Sequence, residues 1–226
     1  MGTVELRTRH GSVAGYMAEP KKGKGPGVLV LHAWWGLNDF FRGLCDRLAA
    51  EGFVAFAPDL YHGAVASTID GAEKLMSTLK TDMVRKDLVP SVEGLGSHPK
   101  VGGDRIGVLG FSMGAYWGVW LAQERSSDIA AVVVFYGIGD EDYSKTNAAF
   151  LGHFAEKDEF EPDSGIREFE DRVRAAGKEI TIHRYPGTTH WFFEDDRPDA
   201  YSAGAAGLAW RRTVDFLATH LSRPKS

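Results

Sequence analysis

Short apolar runs recur along the chain and are rich in β-branched and aromatic residues. Each is too short for a helix and is apolar throughout instead of alternating, which is typical of strands buried on both faces of a parallel sheet. We predict such strands at Gly27–Leu31, Phe53–Ala57, Arg105–Leu109, Ala131–Phe135, Ala149–Phe154 and Glu179–His183. Two further strands, joined at Gly11, are predicted between Val4 and Ala18.

Helical patterns fill the segments between these runs. The predicted helices are Asp39–Glu51, Thr68–Val92, Met113–Glu124, Ser164–Ala176 and Asp199–His220. Gly52 and Gly177 stand after two of them, where a helix C-terminus favours glycine. Strands that alternate with helices predict an α/β fold with a doubly wound, mostly parallel sheet, in one domain over residues 1–226. We expect the irregular segment from Leu60 to Ser67 to form part of a lid or of a pocket wall.

The composition indicates an ordinary globular protein and narrows its partners. The 226 residues are 43% hydrophobic and 25% charged, and the formal net charge of −5 gives no electrostatic reason to expect binding to nucleic acid or to an anionic membrane. No apolar run approaches the roughly 20 residues of a spanning helix, and the N-terminus lacks the apolar stretch of a secretory signal. Cys45, the lone cysteine, cannot form an intrachain disulfide. We therefore expect a soluble cytoplasmic protein, a monomer or weak homo-oligomer, without nucleic acid or membrane as a partner.

A candidate nucleophile stands at a strand-to-helix junction. Gly110-Phe111-Ser112-Met113-Gly114 has the pattern G-x-S-x-G, directly after the predicted strand Arg105–Leu109 and before a predicted helix. In that context the serine lies on a sharp turn that exposes its hydroxyl, and the backbone N–H of Met113 points to where an oxyanion would form. The alternative is a chance turn in a chain that contains 27 glycines. The flanking strand and helix favour the nucleophile.

From Gly15 to its last helix, the chain resembles the dienelactone hydrolase family of α/β-hydrolases. The resemblance rests on the turn around Ser112 and on four other landmarks, which are His32–Asn38, Ala57–Tyr61, the acidic loop 155–162 and the histidine loop 185–192. It implies the α/β-hydrolase fold and cleavage of a small-molecule ester or lactone, and we expect no cofactor. The best-known members carry a cysteine nucleophile and a glutamate after the first long strand, where this chain has Ser112 and Ala33.

The catalytic acid is sought after Ser112, because the chain order in this fold is nucleophile, acid, histidine. The acidic loop 155–162 follows a predicted strand and contains several carboxylates. The resemblance favours Asp158, because the family's acid loop has a proline four residues after the aspartate, as Pro162 stands here. Glu156 and Glu159 are the alternatives.

Eight histidines compete for the role of base, namely His10, His32, His62, His98, His153, His183, His190 and His220. His190 lies in a glycine-containing loop between the last apolar strand and the final helix, where the fold delivers its histidine. His153 and His183 fall within predicted strands and His220 near the exposed end of a helix, so we interpret these three as structural. His32 precedes the serine, and we expect it to shape the oxyanion loop.

Together these residues predict a serine hydrolase that cleaves carboxylic esters or lactones through an acyl-enzyme intermediate. Ser112 attacks the carbonyl, His190 removes the hydroxyl proton, and Asp158 orients the imidazole. The resemblance adds the backbone N–H of Trp34 to that of Met113 in the oxyanion hole.

Aromatic residues lie in loops expected to converge on the nucleophile. We predict a pocket lined by Trp35, Tyr61, Phe160 and Trp191, with structural packing as the alternative for each. The family binds substrate carboxylates through arginines, one of them soon after the catalytic histidine, but here Glu194-Asp195-Asp196 occupies that stretch. We therefore expect neutral, apolar or aryl esters and lactones as substrates, unless Arg197 or Arg85 replaces the missing arginine.

Other functions compete with this one. The chain could be a catalytically silent scaffold that binds a small ligand, or it could transfer the acyl group to an acceptor other than water. A metal enzyme is not indicated, because no His-x-x-x-His, HExxH or cysteine cluster has ligand spacing. Cys45 is not favoured as a nucleophile, because it falls within a predicted helix far from the turn at Ser112.

Overall fold

A single eight-stranded sheet forms the centre of the part of the chain that the computed structural model describes, residues 2–9, 11–140 and 142–221. Its strands are β1 Gly2–Thr8, β2 Gly11–Ala18, β3 Gly27–Leu31, β4 Val54–Pro58, β5 Ile106–Phe111, β6 Ile129–Phe135, β7 Ala149–Lys157 and β8 Ile180–Thr189. They lie in the order β1-β2-β4-β3-β5-β6-β7-β8. Strand β2 is antiparallel to β1 and β4, and the other neighbours are parallel. The predicted, mostly parallel sheet is therefore confirmed, while His10 lies outside the described residues.

Helices cover both faces of this sheet. They are α1 Asp39–Ala50, α2 Ile69–Thr78, α3 Thr81–Gly96, α4 Met113–Glu124, α5 Asp163–Ala175 and α6 Ala203–Leu221. Alternate residues of β3 point into different apolar cores, Leu29 and Leu31 into the one shared with α3, α4 and α5, and Val28 and Val30 into the one shared with α1 and α6. The sheet is doubly wound, as predicted. None of the helices within the described ranges is long and apolar enough to cross a membrane.

Two glycines end helices as the sequence predicts. Gly52 and Gly177 follow the last turns of α1 and α5 with φ of +95° and +72°, a left-handed conformation that glycine adopts without steric strain.

The predicted single helix from Thr68 to Val92 is wrong, because the chain forms α2 and α3 instead. Leu79 and Lys80 between them are extended. The hydroxyls of Ser77 and Thr78 donate to the carbonyls of Lys74 and Leu75, at 2.7 Å each, and so satisfy backbone groups that a continuing helix would have used. Helix α2 is also weakly anchored, because Ala72 is its only buried residue.

Strand β8 extends further than the predicted strand at Glu179–His183, and the expected loop before His190 is its second half. Pro186 and Gly187 are tolerated there because β8 lies at the edge of the sheet, where a missing N–H breaks no ladder. The pairing with β7 resumes after an irregularity and places Lys157 opposite Thr189. The next residues along the two strands, Asp158 and His190, are therefore delivered side by side.

Helix α4 approaches the end of β3 closely at Gly114, where a Cβ atom would overlap the Leu31 carbonyl oxygen. We expect Gly114→Ala to lower the unfolding free energy by about 1–3 kcal/mol or more, because backbone atoms must separate to admit the methyl group. Urea denaturation measures this difference. Gly43→Ala is the matched control, because Gly43 lies inside α1 and its Cβ would meet no atom within 4 Å; it should stabilise by about 1 kcal/mol. Equal losses for both variants would contradict the steric argument.

Candidate active site

Ser112 lies on the sharp turn between β5 and α4, at the carboxyl edge of the sheet. Its backbone is left-handed, with φ 50° and ψ −113°, and its N–H donates to the Phe135 carbonyl at 2.9 Å. Such a conformation is strained for a residue other than glycine and persists only where the surrounding structure holds it. The side chain is half-buried, so the hydroxyl is held rigidly but remains accessible.

His190 lies between Ser112 and Asp158. Its Nε2 is 3.2 Å from the Ser112 Oγ, and its Nδ1 is 2.8 Å from each carboxylate oxygen of Asp158. The Asp158 carboxylate is itself fixed by the backbone N–H groups of Phe160 and Glu161, at 2.9 and 3.1 Å. A nucleophile, a base and a group that orients the base are thus aligned within hydrogen-bond distance.

The alternative acids do not share this position. Glu156 accepts a hydrogen bond from the Gly187 N–H at 2.9 Å, and Glu159 is exposed. Within the described residues, only Asp158 among these three carboxylates contacts His190.

Two backbone N–H groups are available beside the serine. Neither the Met113 N–H nor the Trp34 N–H donates to another group of the described chain. Met113 begins α4, whose N-terminus carries a partial positive charge, and Trp34 lines the same small cavity as Ser112. Both N–H groups can therefore receive a developing negative charge.

The other histidines have structural partners. His32 is fully buried, shares a 2.7 Å hydrogen bond through Nδ1 with the Ala33 carbonyl and accepts the Leu60 N–H at Nε2, and burial lowers its pKa. His153 is also buried and bonds the hydroxyls of Tyr185 and Thr213. The expectation that His220 lies at an exposed helix end is wrong, because α6 packs its last turn on the sheet and leaves that side chain buried.

Two cavities meet at the catalytic candidates. The smaller, about 310 Å³, contains Ser112, and its other walls are mainly apolar, namely Trp34, Met76, Met113, Tyr116, Phe160, His190 and Trp191. The larger, about 1080 Å³, lies on the Asp158 side and includes Trp35, Glu161 and Arg197. Phe160, His190 and Trp191 line both. No group of three or more His, Cys, Asp or Glu side chains in the described ranges could hold a metal ion.

Comparison with known proteins gives the family of this chain. A model of the dienelactone hydrolase family matches residues 13–221. The chain belongs to the dienelactone hydrolase family.

Relatives in this family match almost the whole chain. “Protein usf” of Aquifex pyrophilus is 36% identical over 230 residues, 97% of this chain and 98% of the relative. A protein of Aquifex aeolicus named “Putative carboxymethylenebutenolidase” is 34% identical over 233 residues, 96% of this chain and 98% of the relative. The crystal structure of a Klebsiella pneumoniae protein named “Putative Dienelactone Hydrolase” gives a TM-score of 0.85 at 26% identity and covers 96% of this chain and 97% of that one. The fold is the α/β-hydrolase fold, and the protein is a carboxylic ester hydrolase.

Among the residues predicted to line the pocket, three border a cavity and one does not. Trp35, Phe160 and Trp191 do, although Trp35 is 2% exposed and covered by the Arg197 guanidinium, 3.7 Å from its ring centroid. Tyr61 borders neither cavity and instead packs against the His32 ring, with its hydroxyl 3.4 Å from Met113 Sδ. Burial raises the pKa of Tyr61 to about 12, so it remains neutral.

Of the two arginines considered as receptors for a substrate carboxylate, one borders a cavity and the other does not. Arg197 lines the larger cavity, whereas the Arg85 guanidinium packs over Trp120, 4.9 Å from its centroid, and borders neither cavity.

Several residues of this family member's site escape sequence reasoning. Met76 and Tyr116 contribute to the small cavity from α2 and α4. Tyr136, also missed, follows β6 with φ 37°, and Trp191, which the sequence predicted, follows His190 with φ 65°. Together with Ser112 they are three of the four non-glycine residues with positive φ in the described chain, and backbone strain of this kind gathers at functional sites. The available signal for Tyr136 was its position at the carboxyl end of a parallel strand, where α/β folds bind ligands.

Glu194 is another residue that sequence reasoning misplaced. In the sequence it belongs to the acidic stretch 194–196, yet its side chain is fully buried and accepts a hydrogen bond from the Tyr136 hydroxyl at 2.6 Å. Burial, opposed by that hydrogen bond, raises the pKa of Glu194 to about 8. Burial and the neighbouring Glu194 charge raise the pKa of Tyr136 well above 10, so the phenol remains the donor.

This raised pKa predicts a pH-dependent penalty on stability. The unfolded carboxyl ionises near its ordinary value of 4.5, whereas the folded one holds its proton until about pH 8, so ionisation progressively favours unfolding between these values. Glu194→Gln cannot ionise. Relative to the wild type, its unfolding free energy should therefore rise by a few kcal/mol, at most about 5, between pH 4.5 and pH 9. Urea denaturation of both proteins at the two pH values measures the change, and a difference that is the same at both would contradict it.

Proposed function

We propose that the protein hydrolyses small neutral esters and lactones through an acyl-enzyme on Ser112, with His190 as general base and Asp158 as the residue that orients it. The observation that carries this proposal is the alignment of Ser112 Oγ, His190 and Asp158 at 3.2 and 2.8 Å. Chance proximity does not account for a carboxylate that is itself fixed by two backbone N–H groups.

The geometry supports an ordinary two-step mechanism. His190 Nε2 accepts the proton as Ser112 Oγ attacks the carbonyl carbon, and Asp158 stabilises the imidazolium that forms at Nδ1. The N–H groups of Met113 and Trp34 hold the oxyanion, and His190 then returns the proton to the leaving alcohol oxygen. Water, activated by the same imidazole, releases the acyl group and restores the hydroxyl.

A serine in place of cysteine fits a mechanism in which His190 acts as the general base. A serine hydroxyl is a weak nucleophile without a base, so His190 is needed in both steps. At position 33, where the best-known family members have a glutamate, the buried Ala33 offers no carboxylate that could hold the nucleophile in another state.

The substrate preference follows from the smaller cavity. Apart from Ser112 and His190, its walls are aromatic or methionine side chains, and a volume of about 310 Å³ suits a short acyl chain or an aryl group. Family members have an arginine soon after the catalytic histidine, but Glu194 stands four residues after His190 here. Its side chain is buried, so it presents no charge to a substrate.

A substrate that carries a carboxylate is the second candidate. The name carboxymethylenebutenolidase of the Aquifex aeolicus relative describes such a compound, and Arg197 in the larger cavity carries the required charge. However, Arg197 lies 3.5 Å from the Asp196 carboxylate, and that cavity also presents Glu159 and Asp163, which disfavour an anion.

Ser112→Ala should lower kcat/KM for p-nitrophenyl butyrate by about 10⁴-fold or more, because it removes the atom that forms the covalent intermediate. A fluorophosphonate probe should label the wild type and not this variant. Ser127→Ala, at an exposed turn after α4, is the matched control and should retain activity and labelling. Activity that survives in Ser112→Ala would refute the nucleophile, and activity lost in EDTA would point to a metal enzyme.

Wild-type kcat/KM should be at least about tenfold higher for p-nitrophenyl butyrate than for a dienelactone, because the small cavity is apolar. Met76→Asp places a charge on its wall and should lower the value for the butyrate ester by about tenfold. Met83→Asp is the control, because Met83 is similarly exposed on the neighbouring helix but borders neither cavity. A strong preference for the dienelactone would overturn the neutral-substrate proposal and favour the second candidate.

A further inference from the structure

We propose that Glu194 is a positioning residue for the base His190 and that it acts through Tyr136. This inference rests on the triad proposed above, since it assigns a function to the groups behind its histidine.

The three side chains form a continuous chain of contacts. The Tyr136 hydroxyl donates to Glu194 Oε1 at 2.6 Å, and the Tyr136 ring lies 4.7 Å from the His190 ring, centroid to centroid. Tyr136 and Glu194 are fully buried, and His190 is nearly so. The imidazole is therefore held by Asp158 at Nδ1 and, separately, by a phenol ring whose own orientation is fixed by Glu194.

The backbone of Tyr136 is constrained to present this ring. The residue directly follows β6, its N–H donates to the His153 carbonyl at 2.8 Å, and its φ of 37° lies in the region that favours glycine. The preceding residue, Phe135, accepts the N–H of Ser112. A strained tyrosine thus links the nucleophile strand to the base, and a glycine would relieve the strain only by giving up both side-chain contacts.

Burying the Glu194 carboxyl costs folding free energy, which a purely structural role does not explain. Its second oxygen, Oε2, is buried and makes no hydrogen bond of good geometry with a described residue, although the Trp35 indole is close enough to lower the pKa of the carboxyl, and an apolar side chain would carry no such desolvation penalty. Its bond to Tyr136 therefore calls for a function beyond packing.

The charge on Glu194 also bears on catalysis. The groups that face this carboxyl are the Tyr136 hydroxyl, Asp196, Arg197 and the Trp35 indole, and Asp158 and His190 face Tyr136. Burial outweighs the opposing Tyr136 and Arg197, so the carboxyl ionises near pH 8. The ionised form strengthens the bond from Tyr136 and places a negative charge behind the imidazolium of the transition state, so kcat should rise as the pH passes 8.

The test compares Glu194→Gln, Glu194→Leu and Tyr136→Phe in kcat, KM and pH profile on p-nitrophenyl butyrate. Glutamine keeps an acceptor for Tyr136 but cannot ionise, so kcat at pH 6.5 should stay within about twofold while the rise near pH 8 disappears. Tyr136→Phe and Glu194→Leu both break the bond, and each should lower kcat about tenfold with KM within about twofold. The variant that combines Tyr136→Phe with Glu194→Leu should match either single one, because the two side chains act as a unit.

Tyr16→Phe is the matched control. Tyr16 also donates to a carboxylate, that of Asp46, at 3.0 Å, but this pair lies between β2 and α1, away from the triad. Its loss should leave kcat and the pH profile unchanged.

An unchanged pH profile in Glu194→Gln overturns the proposal, and so does additivity of Tyr136→Phe and Glu194→Leu. If Glu194→Leu fails to fold, the soluble Glu194→Gln and Tyr136→Phe proteins still decide it. Either result would refute the role of Glu194 alone. The proposed function would instead be refuted by hydrolysis that survives Ser112→Ala.

Discussion

The parallel pairing of the strands from β5 to β8 sets the distances on which the active site depends. Each of the three triad candidates stands just beyond the carboxyl end of a strand, Ser112 after β5, Asp158 after β7 and His190 after β8. Because Lys157 pairs with Thr189, the acid and the histidine leave the sheet side by side. A one-residue slip in this register would turn each side chain to the opposite face of its strand and separate the groups.

The sequence predicted the elements whose signals are local. Continuous apolar runs predict buried strands, and glycines that allow a close approach of strand and helix predict the turn at Ser112. Both features lie close to their predicted bounds. The break between α2 and α3 was missed because no proline or glycine marks it, and the hydrogen bonds of the Ser77 and Thr78 hydroxyls to carbonyls of the last turn are visible only in the structure. The second half of β8 was missed because Pro186 and Gly187 usually mark a loop, and only a position at the edge of the sheet makes them tolerable.

The misplaced side chains depend on contacts between distant parts of the chain. Glu194 has the same acidic neighbours as a solvated residue, and only the folded chain places its carboxyl under the Tyr136 hydroxyl, 58 positions earlier. Tyr61 follows a strand that ends near the site, a position that favours a pocket wall, but its side chain is buried with the hydroxyl 3.4 Å from Met113 Sδ. The side chains that form the triad were easier to name because fold topology alone restricts their order.

The weak anchoring of α2 has a consequence for how molecules enter and leave. This helix contributes Met76 to the small cavity yet buries only Ala72, so its displacement would expose little apolar surface. Segments with so few buried contacts open at a small fraction of the global unfolding free energy. Trp34 and Trp191, which also line this cavity, pack against each other and against Trp35, so moving them would break several ring contacts. Local opening on the α2 side therefore costs less free energy than opening between the two tryptophans, and we expect substrate to reach the serine from that side.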